Sequence, residues 1–397
     1  MDHDYMILRV NLTDKELKSE PVKEGWGRKF IGGKGLGAAY LLKELPKGVK
    51  PLSPENKLMF FIGPLTGIAP GTSRYVVVTK SPLTSTFLDT YAGGHFPAEL
   101  RFSLSEHLGI IFEGRAEEMV YLLIDRGKVE IKNGEHLRGK STAAVKNAFK
   151  GFKVASIGLA GENLVRYACI TNDFGRNAGR GGAGAVMGSK NLKAIVVRGD
   201  KDIDISEKVM ELRRKHSKRL AGARWFREAG TTRIVDTCND AGILPTENWT
   251  KGTFTKVEKI NSNAVMKNIV SHSACYFCQV ACNIHTKAKT GLFKGVYIDG
   301  PEYETIALGG SNTGVSDLSA ISEFNRICDD LGMDTISTGA VIAWAMECSK
   351  KGIIDEKLAF GDGIALVGAV KMIARRKGIG NLLAEGVARA SKKLGKE

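Results

Sequence analysis

No stretch of this 397-residue chain is apolar for long enough to cross a bilayer: the longest runs, such as 340–346 and 58–62, fall far short of the roughly 20 residues a membrane helix needs. The opening Met1-Asp2-His3-Asp4 does not resemble a signal peptide, and a cytoplasmic protein is expected. Internal repeats, low-complexity segments and long linkers are also missing, which excludes repeat arrays. With 43% hydrophobic and 25% charged residues, wholesale disorder is excluded as well, and the length allows two or three domains with sizeable cores. Acidic residues are in deficit: 43 Asp and Glu face 58 Lys and Arg, a balance that suits an anionic partner such as nucleic acid, a phosphorylated cofactor or an acidic protein. Glycine is abundant instead, 47 residues in clusters, and clustering points to backbone approaching a ligand.

Short runs with strand character recur through the first half at 6–11, 57–62, 74–79, 110–113, 120–124, 129–131, 154–157, 166–171 and 194–198, most bounded by Gly, Pro or Asn. Asp125-Arg126-Gly127-Lys128 reads as a hairpin turn, and helices are expected after Gly35, Gly94 and Ser141. The pattern changes after the polar Gly199-Asp200-Lys201-Asp202. Ser206 can cap a helix to about Leu220, Ser316 another ending near Leu331 with Gly332 behind it, and a third runs from Ser337 to Lys351 and stops at Gly352. The expected fold is α+β: a β-rich, double-sheet N-terminal domain over 1–203, then a mainly α-helical domain over 204–397.

The strongest chemical signal is Cys275-Tyr276-Phe277-Cys278-Gln279-Val280-Ala281-Cys282, a C-x2-C-x3-C run with three of the seven cysteines. This spacing can place three thiolates around one metal centre, and in a cytosolic protein metal binding is a better expectation than disulfides. Three cysteines plus one from elsewhere suit a 4Fe-4S cluster; His272 and His285 flank the run and leave a Cys3His zinc site open. Cys169, Cys238, Cys328 and Cys348 stand singly and read as small buried hydrophobes.

A second signal spans 172–190, where Gly175, Gly179, Gly181, Gly182, Gly184 and Gly188 accompany Arg176 and Arg180. Glycines let main-chain N–H groups approach an anion and arginines add bidentate donors, so the segment reads as a phosphate cradle, though not a Walker A loop; a tight loop between packed sheets explains the glycines but not the arginines. Gly33-Lys34-Gly35-Leu36-Gly37-Ala38 lacks a leading strand and an acidic partner and reads as helix–sheet packing. Glu302 and Glu304 follow Pro301 where a helix can start; acids there usually complement the helix dipole, with a catalytic role as the alternative. Asp329, Asp330 and Asp334 surround Gly332 and Met333 between two helices, where they can meet a ligand's amino groups or, for Asp334, cap a helix.

In this order, the segments resemble the tungsten-containing aldehyde:ferredoxin oxidoreductase family, along with Pro51-Leu52-Ser53-Pro54-Glu55-Asn56-Lys57, Gly63-Pro64-Leu65-Thr66-Gly67, Arg74-Tyr75, Thr79-Lys80-Ser81-Pro82-Leu83-Thr84 and Gly161-Glu162-Asn163-Leu164-Val165. The resemblance implies a β-rich base on which two pterin dithiolenes hold one tungsten or molybdenum (tungstopterin), beside a 4Fe-4S cluster carried by a helical domain. It assigns Arg74, Tyr91, Gly93, Arg176, Asn177, Gly179 and Arg180 to the pterins, their phosphates and the bridging Mg2+. Asp329, Met333 and Asp334 match the first of two D-x-x-G-L-type pterin motifs, Cys275, Cys278 and Cys282 three cluster ligands, and Glu304 the acid beside the metal. Tyr91-Ala92 stands where the family usually has Asn-Ser, and Met333 replaces Leu. Glu323 matches one end of a metal site that bridges subunits in a homodimer, while Val367 stands where the family can have His. Family members continue into a further domain with the fourth Cys and the second motif, so the resemblance implies either a complementary C-terminal chain as a partner, an interrupted gene or an inactive remnant, and with it ferredoxin and a small aldehyde substrate. The alternative is a non-catalytic, zinc-binding basic protein that interacts with nucleic acid, although no nucleic-acid module is recognisable.

Overall fold

The computed structural model describes residues 5–200, 203 and 205–395; Met1-Asp2-His3-Asp4 and the Lys201-Asp202 part of the polar segment lie outside the described residues. The chain forms two compact units. The first runs to Ala221 and also takes in Cys275–Gln279; the second comprises Gly222–Ala274 and the chain from Val280 onward.

Two six-stranded sheets build the first unit. Strands β1 (Met6–Asn11), β2 (Glu16–Pro21), β3 (Leu58–Ile62), β4 (Tyr75–Lys80), β5 (Phe87–Ala92) and β6 (His107–Glu113) form one, in the order β2-β1-β6-β3-β4-β5. Strands β7 (Val120–Asp125), β8 (Lys128–Asn133), β9 (Lys153–Ser156), β10 (Ile170–Asn172), β11 (Arg176–Ala178) and β12 (Leu192–Arg198) form the other, in the order β11-β10-β9-β12-β7-β8. Only the β1–β6 and β12–β7 pairs are parallel. Strand period two sorts the side chains: Phe60, Ile62, Val77 and Ile110 enter the core shared with Leu122, Ile124, Ala155 and Ile195 of the second sheet. Their neighbours Met59, Phe61, Val76 and Val78 pack on Leu36, Tyr40 and Leu41 of the helix Gly33–Glu44. Since the first sheet is covered on both faces, β3 is apolar throughout and lacks the alternation of a half-exposed strand. Gly37 belongs to this contact: a Cβ there would lie 2.7 Å from Val78, the helix–sheet packing expected of the 33–38 glycines.

Several expectations need correction. β2, β5 and β11 carry no hydrophobic run and were not expected; β2 exists because β1 supplies a full antiparallel ladder for an otherwise polar segment. The strand expected at 166–171 is confined to β10, because Ala168 O is taken by Gly184 N–H and the chain turns there. The Asp125–Lys128 hairpin forms as expected, with Arg126 and Gly127 both at positive φ, as a type I′ turn requires.

The second unit is mainly helical but also holds a small antiparallel sheet of β13 (Ile269–Ser273), β14 (Asn283–Lys287) and β15 (Tyr297–Asp299). The helix Leu318–Leu331 is capped by Asp317, not Ser316, and closes on Gly332 in the left-handed region. The next helix, Thr335–Lys350, starts two residues before Ser337, because Asp334 accepts hydrogen bonds from Ile336 N and Ser337 N. Among the described residues no helix is long and apolar enough to cross a membrane.

Candidate functional site

In the first unit the site grows from one end of the β4–β5 ladder. Tyr75 pairs with Ala92, so Arg74 and Gly93 face each other one step beyond the last pair. Gly93 is buried and tightly enclosed: a Cβ there would lie 2.9 Å from Cys275 Sγ and 3.6 Å from Arg74 Cζ. Gly94 is the junction. Its N–H donates to Cys275 Sγ at 3.2 Å, and its carbonyl accepts from Ser73 Oγ at 2.7 Å and from Tyr276 N at 3.0 Å. At φ 100°, with a Cβ position only 2.0 Å from Asp173 Oδ2, this position admits only glycine.

The Gly-Arg segment closes the same junction. Asn172 Nδ2 donates to Gly93 O at 2.9 Å while its Oδ1 accepts from Tyr75 OH at 3.0 Å. Asp173 Oδ2 accepts from His95 N at 2.6 Å and Phe96 N at 3.2 Å, fixing the start of the helix Phe96–Ser103. Sequence reasoning assigned no role to Ser73, Tyr75, Gly94, Asn172 or Asp173; the Gly93-Gly94 doublet and the Asn172-Asp173 pair were the available signals. Both edge strands, β5 and β11, lie side by side, with Leu88 of β5 where a Cβ on Gly181 would sit. Tyr91 and Arg180 are exposed and Arg176 is half-buried, while Asn177, next to Arg176 in β11, turns to the other face, where its Oδ1 accepts from Thr171 Oγ1 at 2.7 Å. Gly182, Gly184 and Gly188 meet the backbone oxygens of Arg166, Cys169 and Gly161, so these glycines serve close packing; Gly179 alone of the cluster after Gly175 faces open space, with no atom nearer than 4.0 Å to its Cβ position. Partial burial and a hydrogen bond to Asp89 push the Tyr91 phenol up to about 12.

The loop Cys275–Gln279 is held by its backbone. Gly71 N–H donates to Phe277 O at 3.2 Å, Cys278 N–H to Cys275 O at 3.1 Å, and Phe277 adopts φ 50°, a conformation a bulky residue takes only when its surroundings impose it. Cys275 and Cys278 are half-buried and Cys282 is exposed, whereas Cys169, Cys238, Cys328 and Cys348 are all buried, as expected of small hydrophobes. A backbone N–H aimed at a sulfur on a solvent-accessible loop fits a metal-ligating thiolate. The two histidines that flank the run differ in placement. In the β13–β14 register His285 faces Ser271 and His272 faces Ile284, so the two imidazoles lie on opposite faces of the sheet; His285 Nε2 is 2.9 Å from Ser273 Oγ, and its ring stacks on Tyr297.

In the second unit, Glu302 is the N-cap of the helix Tyr303–Gly309 and is bound by Thr231 Oγ1, so Pro301 lies outside the helix instead of in its first turn. Glu304, in the first turn, is exposed and makes no hydrogen bond among the described residues. Thr305 Oγ1 lies 3.0 Å from Thr335 Oγ1, which sets the first turn of this helix beside that of Thr335–Lys350 and brings Glu304 and Asp334 to the same end. Asp334 is buried and capping; Met333 is buried; Asp329 accepts from Asn325 Nδ2 at 2.7 Å. Both Glu323 oxygens accept from Arg326, at 2.8 and 2.7 Å, and Val367 is buried.

The profile of the family described as aldehyde ferredoxin oxidoreductase, N-terminal domain, matches residues 7–199, and that of its domains 2 and 3 matches 206–397. The tungsten-containing aldehyde ferredoxin oxidoreductase of Pyrococcus abyssi is 40% identical over 413 residues, and that of Thermococcus kodakarensis 41% over 411; each alignment covers 98% of this chain and 67% of the relative. The WOR-like subunit of the aliphatic sulfonate oxidoreductase of Pyrococcus furiosus is 33% identical over 421 residues. Among solved structures, the active-site complex BamBC of benzoyl coenzyme A reductase superposes with a TM-score of 0.85 at 28% identity, covering 99% of this chain and 63% of that one. The chain thus spans about two thirds of the length of the curated relatives it matches.

Proposed function

Because this chain belongs to the aldehyde ferredoxin oxidoreductase family, we propose that it is the cofactor-binding part of an oxidoreductase that converts an aldehyde and water to a carboxylic acid, with the two electrons leaving through a 4Fe-4S cluster to ferredoxin. The convergence of Arg74, Gly93 and Cys275 carries this reading: a guanidinium and a thiol meet over a glycine whose missing side chain leaves room for both.

Cys275, Cys278 and Cys282 would hold the cluster, and a fourth ligand completes it. Arg74, Arg176 and Arg180 would supply the bidentate charge that pterin phosphates require, and Tyr91, Gly93, Asn177 and Gly179 are the further residues that would hold the pterins, their phosphates and Mg2+. Asp329, Met333 and Asp334 take the first pterin motif in the second unit. When bound, the tungsten or molybdenum centre supplies the two-electron chemistry. This chain's own contribution is orientation and proton handling. The carboxylate of Glu304, exposed and uncommitted among the described residues, accepts a proton released as the aldehyde is oxidised, while Glu302 stays engaged with Thr231 and the helix start.

Elemental analysis of anaerobically purified protein tests this directly. Iron, acid-labile sulfide and tungsten or molybdenum are expected together. Stoichiometric zinc without iron would instead establish the Cys3His alternative.

A further inference from the structure

We propose that the outward face of the helix Glu207–Leu220 is the docking surface for an acidic electron-carrier protein. The proposal rests on the reading of Cys275 and Cys278 as cluster ligands.

The helix is anchored to the loop that bears them. Val209, Arg213, Ser217 and Leu220 form its half-buried stripe at i, i+4 and i+7/8 spacing. Arg213 lies with its guanidinium 4.4 Å from the centre of the Phe277 ring, between the two cysteines. Leu220 Cδ1 is 3.2 Å from the Cβ position of Gly71, the residue whose N–H holds Phe277 O. A carrier seated on this helix is therefore one side-chain layer from the Cys275–Cys278 turn.

The opposite face is built unlike a merely solvated one. The helix holds six Lys and Arg against two Glu. Lys208, Arg214, Lys215, Lys218 and Arg219 are exposed and form no ion pair among the described residues. Arg214–Lys218 and Lys215–Arg219 are like-charged i, i+4 pairs, each costing a few tenths of a kcal/mol in an isolated helix. Among these charges Met210 and Leu212 expose 39% and 56% of their surface. Met210 and Leu212, two positions apart, border this basic face on its two sides, and a face of cations without ion pairs among the described residues selects an acidic partner by its sign and steers its approach. Each encounter passes one electron, the cluster being oxidised and the carrier reduced by one, with no bond made or broken; two encounters clear the electrons of one aldehyde.

The test uses the full-length protein purified anaerobically, an acidic two-cluster ferredoxin as the probe, and the triple variant Arg214→Glu/Lys215→Glu/Lys218→Glu, none of whose positions touches the cysteine loop. Ferredoxin binding is measured by calorimetry at 50 and 200 mM NaCl. Reoxidation of dithionite-reduced protein is followed by stopped flow with ferredoxin and, separately, with benzyl viologen, a small cation that the patch does not attract. The expected result is ferredoxin affinity weakened on the order of 30-fold at low salt, with a flattened salt dependence, and unchanged iron content and viologen rate. Unchanged ferredoxin affinity in an iron-replete variant overturns the docking surface. Wild-type protein without iron overturns the cluster reading instead. Duplex DNA bound as tightly as ferredoxin, and lost in the same variant, assigns the helix to nucleic acid and refutes the carrier.

Discussion

Gly93→Ala separates what the fold needs from what a metal would need. The new methyl group would lie 2.9 Å from Cys275 Sγ, roughly 1 Å inside ordinary van der Waals contact, so the sulfur must retreat by about that distance. Without metal the retreat is affordable: an off-rotamer Cys275 costs about 0.5–1.5 kcal/mol, and the weakened Gly94 N–H···Sγ bond about 1 kcal/mol more. At roughly 2–4 °C per kcal/mol, the melting temperature should fall by about 3–10 °C. With metal the same displacement is several times the ~0.2 Å tolerance of a metal–ligand distance. Iron and sulfide per chain should therefore drop by more than half while circular dichroism stays native. Gly94→Ala is the contrasting variant: at φ 100°, with a Cβ position 2.0 Å from Asp173 Oδ2, it should cost about 3–5 kcal/mol whether or not metal is bound. Full iron content in a folded Gly93→Ala protein would refute the assignment of Cys275.

Asp173→Ala should destabilise by about 2–3 kcal/mol, since His95 N and Phe96 N lose their acceptor, and Asp173→Asn should recover part of it; urea unfolding measures both, and an unaffected midpoint would remove Asp173 as the clamp. Burial, with Lys57 nearby, pushes the Lys190 ammonium down from 10.5 to about 7, even though it donates to Pro54 O and Gly114 O at 3.0 and 2.9 Å. Between about pH 7 and 10 the unfolded chain then carries a proton that the folded chain does not, so stability rises with pH across that window and this gain is gone once pH falls below 7. Lys190→Met should flatten the rise and cost about 1–3 kcal/mol for the two stranded carbonyls; equal pH slopes for the two proteins, from urea midpoints at several pH values, would contradict this. Arg176→Ala and Arg180→Ala should lower pterin content while circular dichroism stays native; normal pterin in both variants would sink the phosphate assignment. Asp334→Ala should lose about 1–2 kcal/mol as the cap of Thr335–Lys350 disappears, and Asp334→Asn most of that loss should spare.

Local rules carried much of this chain. Apolar runs bounded by turn residues announced most strands of both sheets, since a strand buried on one or both faces must be hydrophobic by itself. Likewise the C-x2-C-x3-C run, the arginines among glycines and the helix-ending Gly332 are legible because their spacing or backbone preference is written into consecutive residues. Elements whose stability is borrowed were invisible: β2 and β11 are short or polar and exist through ladders with β1 and β10, while β13–β15 form a sheet inside a stretch read as helical. The helix start at Asp317 was misplaced by one residue because Ser316 offers the same capping chemistry, whereas Asp334, legible as a cap, starts its helix two residues before the expected Ser337. Only the tertiary structure decided that Arg74, Gly93, Asn172 and Cys275, separated by up to about 200 residues, share one junction, and that the basic helix Glu207–Leu220 lies on the cysteine loop. Such meetings arise from long-range packing and hydrogen bonds between segments that carry no local mark of each other.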